Sequence, residues 1–177
     1  YPHFTVTHSM VSLEVIALVL TGLSITASII YYASVLSNTS KARQTQLFMQ
    51  IYQYTNTEES IISWAELVNT KIEDYEEYLR KYDSTVNPAH YAKRSQLWYT
   101  YNAWGELLRL NMVESELLHR LNVDNKVIVM WENWEHIIEK NRERENVPDL
   151  WDGFEYLYNE MKKLRVSKGY PDITYNP

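Results

Sequence analysis

The longest apolar stretch of the chain is VIALVLTGLSITASIIYYASVL, residues 15–36, and no Asp, Glu, Lys or Arg occurs from position 15 to 40. At about 1.5 Å of rise per residue this run makes roughly 33 Å of helix, enough to cross a hydrocarbon core of about 30 Å. Ser24, Thr26, Ser28 and Ser34 dilute the run, and a buried core helix is the alternative they raise. A cleavable signal peptide fits less well, because its apolar part is only about 7–15 residues long and follows basic residues. The preceding YPHFTVTHSMVSLE contains no Lys or Arg. The chain opens on Tyr1 rather than Met, so sequence upstream of this numbering is expected. Ala17, Thr21, Ser24 and Ser28 recur at four-three-four spacing with Gly22 beside them, a face of small residues of the kind that lets spans pack closely. The competing reading is that each hydroxyl bonds back to its own helix.

Past residue 40 the pattern becomes amphipathic and helical. No Pro or Gly lies between Gly22 and Pro88, so the span should continue through KARQTQLFMQIYQY with Leu47, Phe48, Ile51 and Tyr54 on one side. A capping box at Thr55 and Glu58, or at Asn56 and Glu59, opens the next helix. Ile61, Ala65, Val68, Ile72, Tyr75, Leu79 and Tyr82 then form one seam backed by acids, which predicts a single helix to residue 82. DSTVNP is a turn before Pro88. Leu97, Tyr101, Trp104 and Leu108 mark the following helix, and NMVESELLHRL a short one capped by Asn111 and Glu114. Val127, Met130, Trp134 and Ile137 mark another. Pro148 and Asp149 open the last, with Leu150, Phe154, Leu157, Met161 and Leu164 as its seam.

No strand pattern competes. The expected fold is all-α: a single transmembrane helix continuing into a compact antiparallel cytosolic helical bundle. Its parts are a short extracytoplasmic segment (1–14), the span and its junction (15–40), the bundle (41–165) and an irregular tail (166–177).

Charge adds orientation. All 17 basic residues stand at position 41 or later, and Lys41 and Arg43 follow the span directly. Cytoplasmic flanks carry the excess of Lys and Arg, so the amino terminus should lie outside a cell membrane and the bundle inside. Tyr31 and Tyr32 then sit at the inner interface as anchors. Asn38-Thr39-Ser40 matches a glycosylation acceptor, yet on the cytoplasmic side it should stay bare. One of the 23 acids, Glu14, precedes residue 41, so the bundle is net acidic. That argues against a nucleic-acid partner, which requires a basic face.

Chemistry is mostly excluded. There is no Cys and there are four Gly, which removes thiol and Cys-ligated metal sites as well as phosphate-cradling loops. No nucleophile elbow is present. Glu116 and His119 form one Glu-x-x-His pair, but a carboxylate-bridged metal pair in a bundle needs a second. Glu132 stands four residues, not three, before His136. Glu116 and His119 are therefore weak metal candidates, His90 and His136 carry no metalloprotease-type spacing, His3 and His8 are separated from the rest by the membrane with a surface metal as their only option, and no cofactor or small-molecule substrate is expected. Six Trp can supply the core, while 15 Tyr exceed what one core uses, leaving some for contacts at the surface.

The segments YYASVLSNTSKARQTQLFMQIYQ, YAKRSQLWYTYNAWGELLRLNMVESELLHRL, MWENWEHIIEKNRER and WDGFEYLYNEM resemble those of a family of small archaeal and bacterial membrane proteins of unassigned activity. The resemblance covers about residues 20–165. It implies one amino-terminal span with a helical cytosolic domain, and it transfers no active-site residue. The functional expectation is a non-catalytic accessory subunit whose partners are the lipid bilayer and other integral membrane subunits, of a respiratory or monooxygenase-type oxidoreductase among the candidates. A stand-alone membrane-tethered adaptor or sensor that recruits a soluble partner is the alternative.

Overall fold

A computed structural model describes residues 4–173 as seven helices with no strand. The helices are α1 (Phe4–Thr55), α2 (Glu58–Asn69), α3 (Tyr75–Tyr82), α4 (Pro88–Arg109), α5 (Ser115–Arg120), α6 (Val123–Glu145) and α7 (Asp152–Ser167). The chain divides into two units, one ending at Gln46 and the other beginning at Leu47. His3 and residues 174–177 lie outside the described set, as do the side chains of His8, Ile51 and Tyr54.

The first unit is the long apolar helix. One segment, Leu13–Gln50, contains a stretch long and apolar enough to span a membrane, and none of that stretch is buried within the protein. Its hydroxyls are satisfied along the helix itself. Thr21 donates to the Ala17 carbonyl (2.8 Å), Ser24 to Leu20 (2.9 Å), Thr26 to Gly22 (2.9 Å), Ser28 to Ser24 (2.8 Å) and Ser34 to Ile30 (2.9 Å). An apolar surrounding offers a hydroxyl no water, so these bonds remove the penalty that polar atoms in the run would otherwise carry.

In the second unit α7 packs against α4 and α6, α2 against the same two helices, α3 along α4 and α6, and the short α5 on α6 and α7. Trp98, Trp104, Trp131 and Trp134 form the centre, each 2% exposed or less. The expected seams of α4 and α6 are buried throughout, and Phe154, Leu157 and Met161 of α7 likewise. Gly105 of α4 faces Gly153 of α7 so closely that a Cβ on Gly105 would lie 1.7 Å from the Gly153 carbonyl oxygen. The two backbones meet where neither residue has a side chain.

Several boundaries differ from the sequence expectation. The seam over residues 61–82 is two helices, because Thr70 leaves helical geometry (ψ 111°) and Asp74 starts a new cap by accepting from the Glu77 N–H at 2.7 Å. Glu77 reaches back to the Glu73 N–H at 2.7 Å. Together the two carboxylates accept two backbone N–H groups at the start of α3, and these bonds outweigh the continuity of the apolar pattern. Rotation of α2 buries Ser60, Ser63, Leu67 and Val68, while Ile61 is exposed. The α2 cap is Thr57, accepting from the Ser60 N–H at 3.2 Å, rather than Thr55 or Asn56.

Asn111 does not cap α5. It ends α4 with φ 54°, and the Met112 N–H donates to the Leu107 carbonyl at 2.8 Å, a left-handed termination that Asn tolerates. Glu114 occupies the α5 cap position without a side-chain bond. Pro148 and Asp149 lie in a turn, and α7 starts at Asp152. Its preceding residue, Trp151, adopts φ 64°, and Asn102 of α4 supplies the missing cap by accepting from the Phe154 N–H at 3.2 Å.

Candidate functional site

Three places carry functional side chains, and the span is the first. Leu20, Thr21, Ser24, Ile25, Ser28, Ile29 and Tyr32 line a shallow groove of about 570 Å³ along α1. Thr21, Ser24 and Ser28 of the expected packing face come together there. Ala17 and Gly22 are not among its walls, and Gly22 has open space around it. Since the hydroxyls already bond to their own carbonyls, the groove offers shape and a low ridge rather than free donors. Tyr31 and Tyr32 meet edge to face at 5.7 Å. Lys41 and Arg43 are exposed one to two turns beyond residue 36.

The second place holds Glu116 and His119 at α5. Glu116 accepts from Arg120 Nε at 3.1 Å and pairs with Lys168 at 2.8 Å. The hydrogen bond from Lys168, then that from Arg120, holds its carboxyl below the ordinary value. His119 has a different partner. Its Nδ1 lies 2.8 Å from Oδ2 of the buried Asp124, which also accepts from Arg165 Nη1 at 3.1 Å. Glu116 and His119 therefore serve two separate hydrogen-bonded groups, and no set of three metal-ligating side chains gathers among the described residues. Arg165 continues outward: Nη2 donates to the Pro171 carbonyl at 3.1 Å, and the guanidinium lies 5.4 Å from the Tyr170 ring. The tail is thereby held over α6 and α7, beside a cavity of about 240 Å³ whose walls include Ile128, Glu132, Lys162 and Ile173.

The third place was not singled out from the sequence. Arg94 of α4 is 2% exposed, with its guanidinium carbon 4.9 Å from the Tyr78 ring, 5.2 Å from Trp98 and 5.6 Å from Trp134. Nη1 donates to the Tyr82 carbonyl at 3.2 Å and Nη2 to the Tyr78 hydroxyl at 2.8 Å. Burial lowers the Arg94 pKa and raises that of Tyr78. One turn earlier, His90 lies between Tyr82 (4.5 Å) and Trp134 (5.9 Å), and neither ring nitrogen has a partner within the protein. Burial first and Arg94 second push it down to about 4. The nearby Asp83 is held at about 2, chiefly by the Thr85 N–H and then by Arg144. The available signal was an Arg at a position sharing the face of Leu97, Trp98 and Tyr101, where a surface-seeking residue breaks an otherwise apolar seam.

No protein-family model, curated protein or solved structure matches the chain, so function has to be argued from these three places.

Proposed function

We propose that the chain is a non-catalytic accessory subunit of a larger integral membrane complex. Its span packs through Thr21, Ser24 and Ser28, with Ala17 and Gly22 beside them, against neighbouring spans. Its helical domain caps the cytoplasmic face of a cell-membrane assembly, of which a respiratory or monooxygenase-type oxidoreductase is the candidate class. Tyr31, Tyr32, Lys41 and Arg43 act as anchors at the inner interface, with the amino terminus outside.

The observation that carries the reading is the exposure of every described apolar side chain from Leu13 to Leu36. A surface of that extent is far beyond what a water-soluble monomer leaves uncovered. Lipid covers it in part, and the groove at Thr21, Ser24 and Ser28 suits a helix, because close packing is what joins spans where no hydrophobic drive exists. The internally bonded hydroxyls favour packing by shape over hydrogen bonding.

A tethered adaptor is the second reading, favoured by exposed aromatic residues on the helical domain. Tyr99 is 63% exposed and rests edge to face on Trp151 at 4.7 Å, and such rings are favoured contact residues. Extraction in mild detergent followed by native electrophoresis and mass spectrometry separates the two. The subunit reading expects co-migration with other integral membrane proteins in fixed ratio, and a lone species of 21.1 kDa overturns it. Ser24→Leu with Ser28→Leu should release the chain from the complex while leaving it in the membrane.

A further inference from the structure

The cavity of about 240 Å³ beside the carboxyl tail is walled by three elements. Ile128, 2% exposed, comes from α6, Lys162 and Arg165 come from α7, and the tail itself contributes residues 170–173. The tail is tied down along this stretch. Arg165 Nη2 donates to the Pro171 carbonyl at 3.1 Å, the Tyr170 ring lies 5.5 Å from His119 and 5.4 Å from the Arg165 guanidinium, and Ile173 packs against the core. Gly169, with φ 71°, turns the chain from the end of α7 into this strap. An apolar cavity of about 150 Å³ takes benzene with its six heavy atoms, so in proportion 240 Å³ has room for about nine.

The charged walls of the cavity balance. Glu132 and Asp172 bring two negative charges, Lys162 and Arg165 two positive ones. Arg165 is committed to the buried Asp124, to Asn125 and to Pro171. The Glu132–Lys162 pair has capacity left. Lys162 Nζ donates to Glu132 Oε1 at 3.0 Å and to the Tyr158 hydroxyl at 3.2 Å, which occupies two of its three N–H groups. The Tyr158 hydroxyl also donates to Oε1, at 3.3 Å, so among the described residues Glu132 Oε2 accepts nothing. The two side chains are 38% and 40% exposed, within reach of a ligand. Beside them Ile128, Val166 and Ile173 supply aliphatic wall. Apolar walls with a few placed polar groups are the usual composition of a small-molecule site. A ligand of net charge would upset the balance of the walls, whereas one carrying a charge of each sign keeps it.

We propose that this cavity binds a free α-amino acid with an aliphatic side chain, its ammonium group on Glu132, its carboxylate on Lys162 and its side chain against Ile128 and Ile173, and that residues 170–173 are the strap that closes over it. Leucine is of the right size. The site is independent of the membrane role.

The test uses the full chain in detergent micelles, titrated with L-leucine and with its two singly charged analogues, 4-methylpentanoate and 3-methylbutylamine. Expected is a saturable rise in Tm with leucine, about 4 °C at a tenfold excess over its Kd, and binding of either analogue weaker by roughly tenfold or more. Trypsin cleavage after Lys168 should slow over the same leucine range, because the strap closes on the ligand. Glu132→Gln and Lys162→Met, both at half-exposed positions, should each raise the leucine Kd severalfold. No saturable effect at millimolar leucine, equal binding of either analogue, an unchanged Kd in both variants, or cleavage at Lys168 that leucine does not slow overturns the site. Should either variant fail to fold, the analogue series and the cleavage decide.

Discussion

His90 shows how one residue can make the domain sensitive to acid. Its pKa falls from 6.5 to about 4 because burial and the adjacent Arg94 oppose a second cation, with the Lys93 and Glu66 pair acting weakly in opposite senses. Between those values the unfolded chain binds the proton and the folded chain does not. Stability is therefore complete above about pH 6.5 and declines as pH falls toward 4, by about 2 kcal/mol after discounting for solvent screening. Urea unfolding followed by Trp fluorescence should show that decline, and His90→Phe should remove it. A second residue-scale expectation concerns Asp124, which holds His119 and Arg165 together at 1% exposure. Replacing it by Ala leaves Arg165 without a buried counter-charge and should cost about 3 kcal/mol or more. Proteolysis of the carboxyl tail should accelerate in the same variant, because Arg165 also holds Pro171. Neither role was visible in the chain: His119 was paired with Glu116 by spacing alone, whereas its partner comes from the next helix.

At the scale of elements, two approaches decide how the helices sit. The α4 and α7 backbones touch at Gly105 and Gly153, and a methyl group at Gly105 would fall inside the Gly153 carbonyl. Gly105→Ala should cost about 3 kcal/mol or more as the helices are forced apart, read as a lowered urea midpoint for unfolding. The same change at Gly22, which has nothing within 4 Å, should leave that midpoint unchanged. The second element-scale feature is the split between α2 and α3. Asp74→Ala removes the cap at Glu77 and should cost about 1 kcal/mol. If α2 and α3 were one helix, the same change would be neutral or slightly stabilising, so the sign of the effect is the measurement. Asp-x-x-Glu at 74–77 was legible as a capping box, but it lay inside a seam whose periodicity argued for continuity. Periodicity marked a seam of which Val68 is buried, while the other buried positions are Ser60, Ser63 and Leu67 in α2 and Tyr78 in α3; it registered neither that rotation nor the pause between the two helices.

At the scale of the whole molecule there are two units, an apolar helix exposed over residues 13–43 and a helical domain with its own tryptophan-rich core. Expression in a glycosylating membrane system should leave Asn38 bare if the amino terminus faces outward, and a sugar there reverses the proposed orientation. The all-α class, the long apolar helix and the buried faces of α4, α6 and most of α7 were determined by the sequence, because helical periodicity and the absence of breakers are local properties that each segment carries with it. What only the tertiary structure decided is everything set by distant neighbours. Arg94 became a buried cation because Tyr78, Trp98 and Trp134 close around it from three helices. Trp151 holds a left-handed backbone that its side chain disfavours, since Asn102 caps the helix it precedes and Trp98 packs on its ring. Glu116 and His119 diverged to separate partners. These follow from which surfaces meet across the core, a relation between residues far apart in the chain that no local pattern encodes.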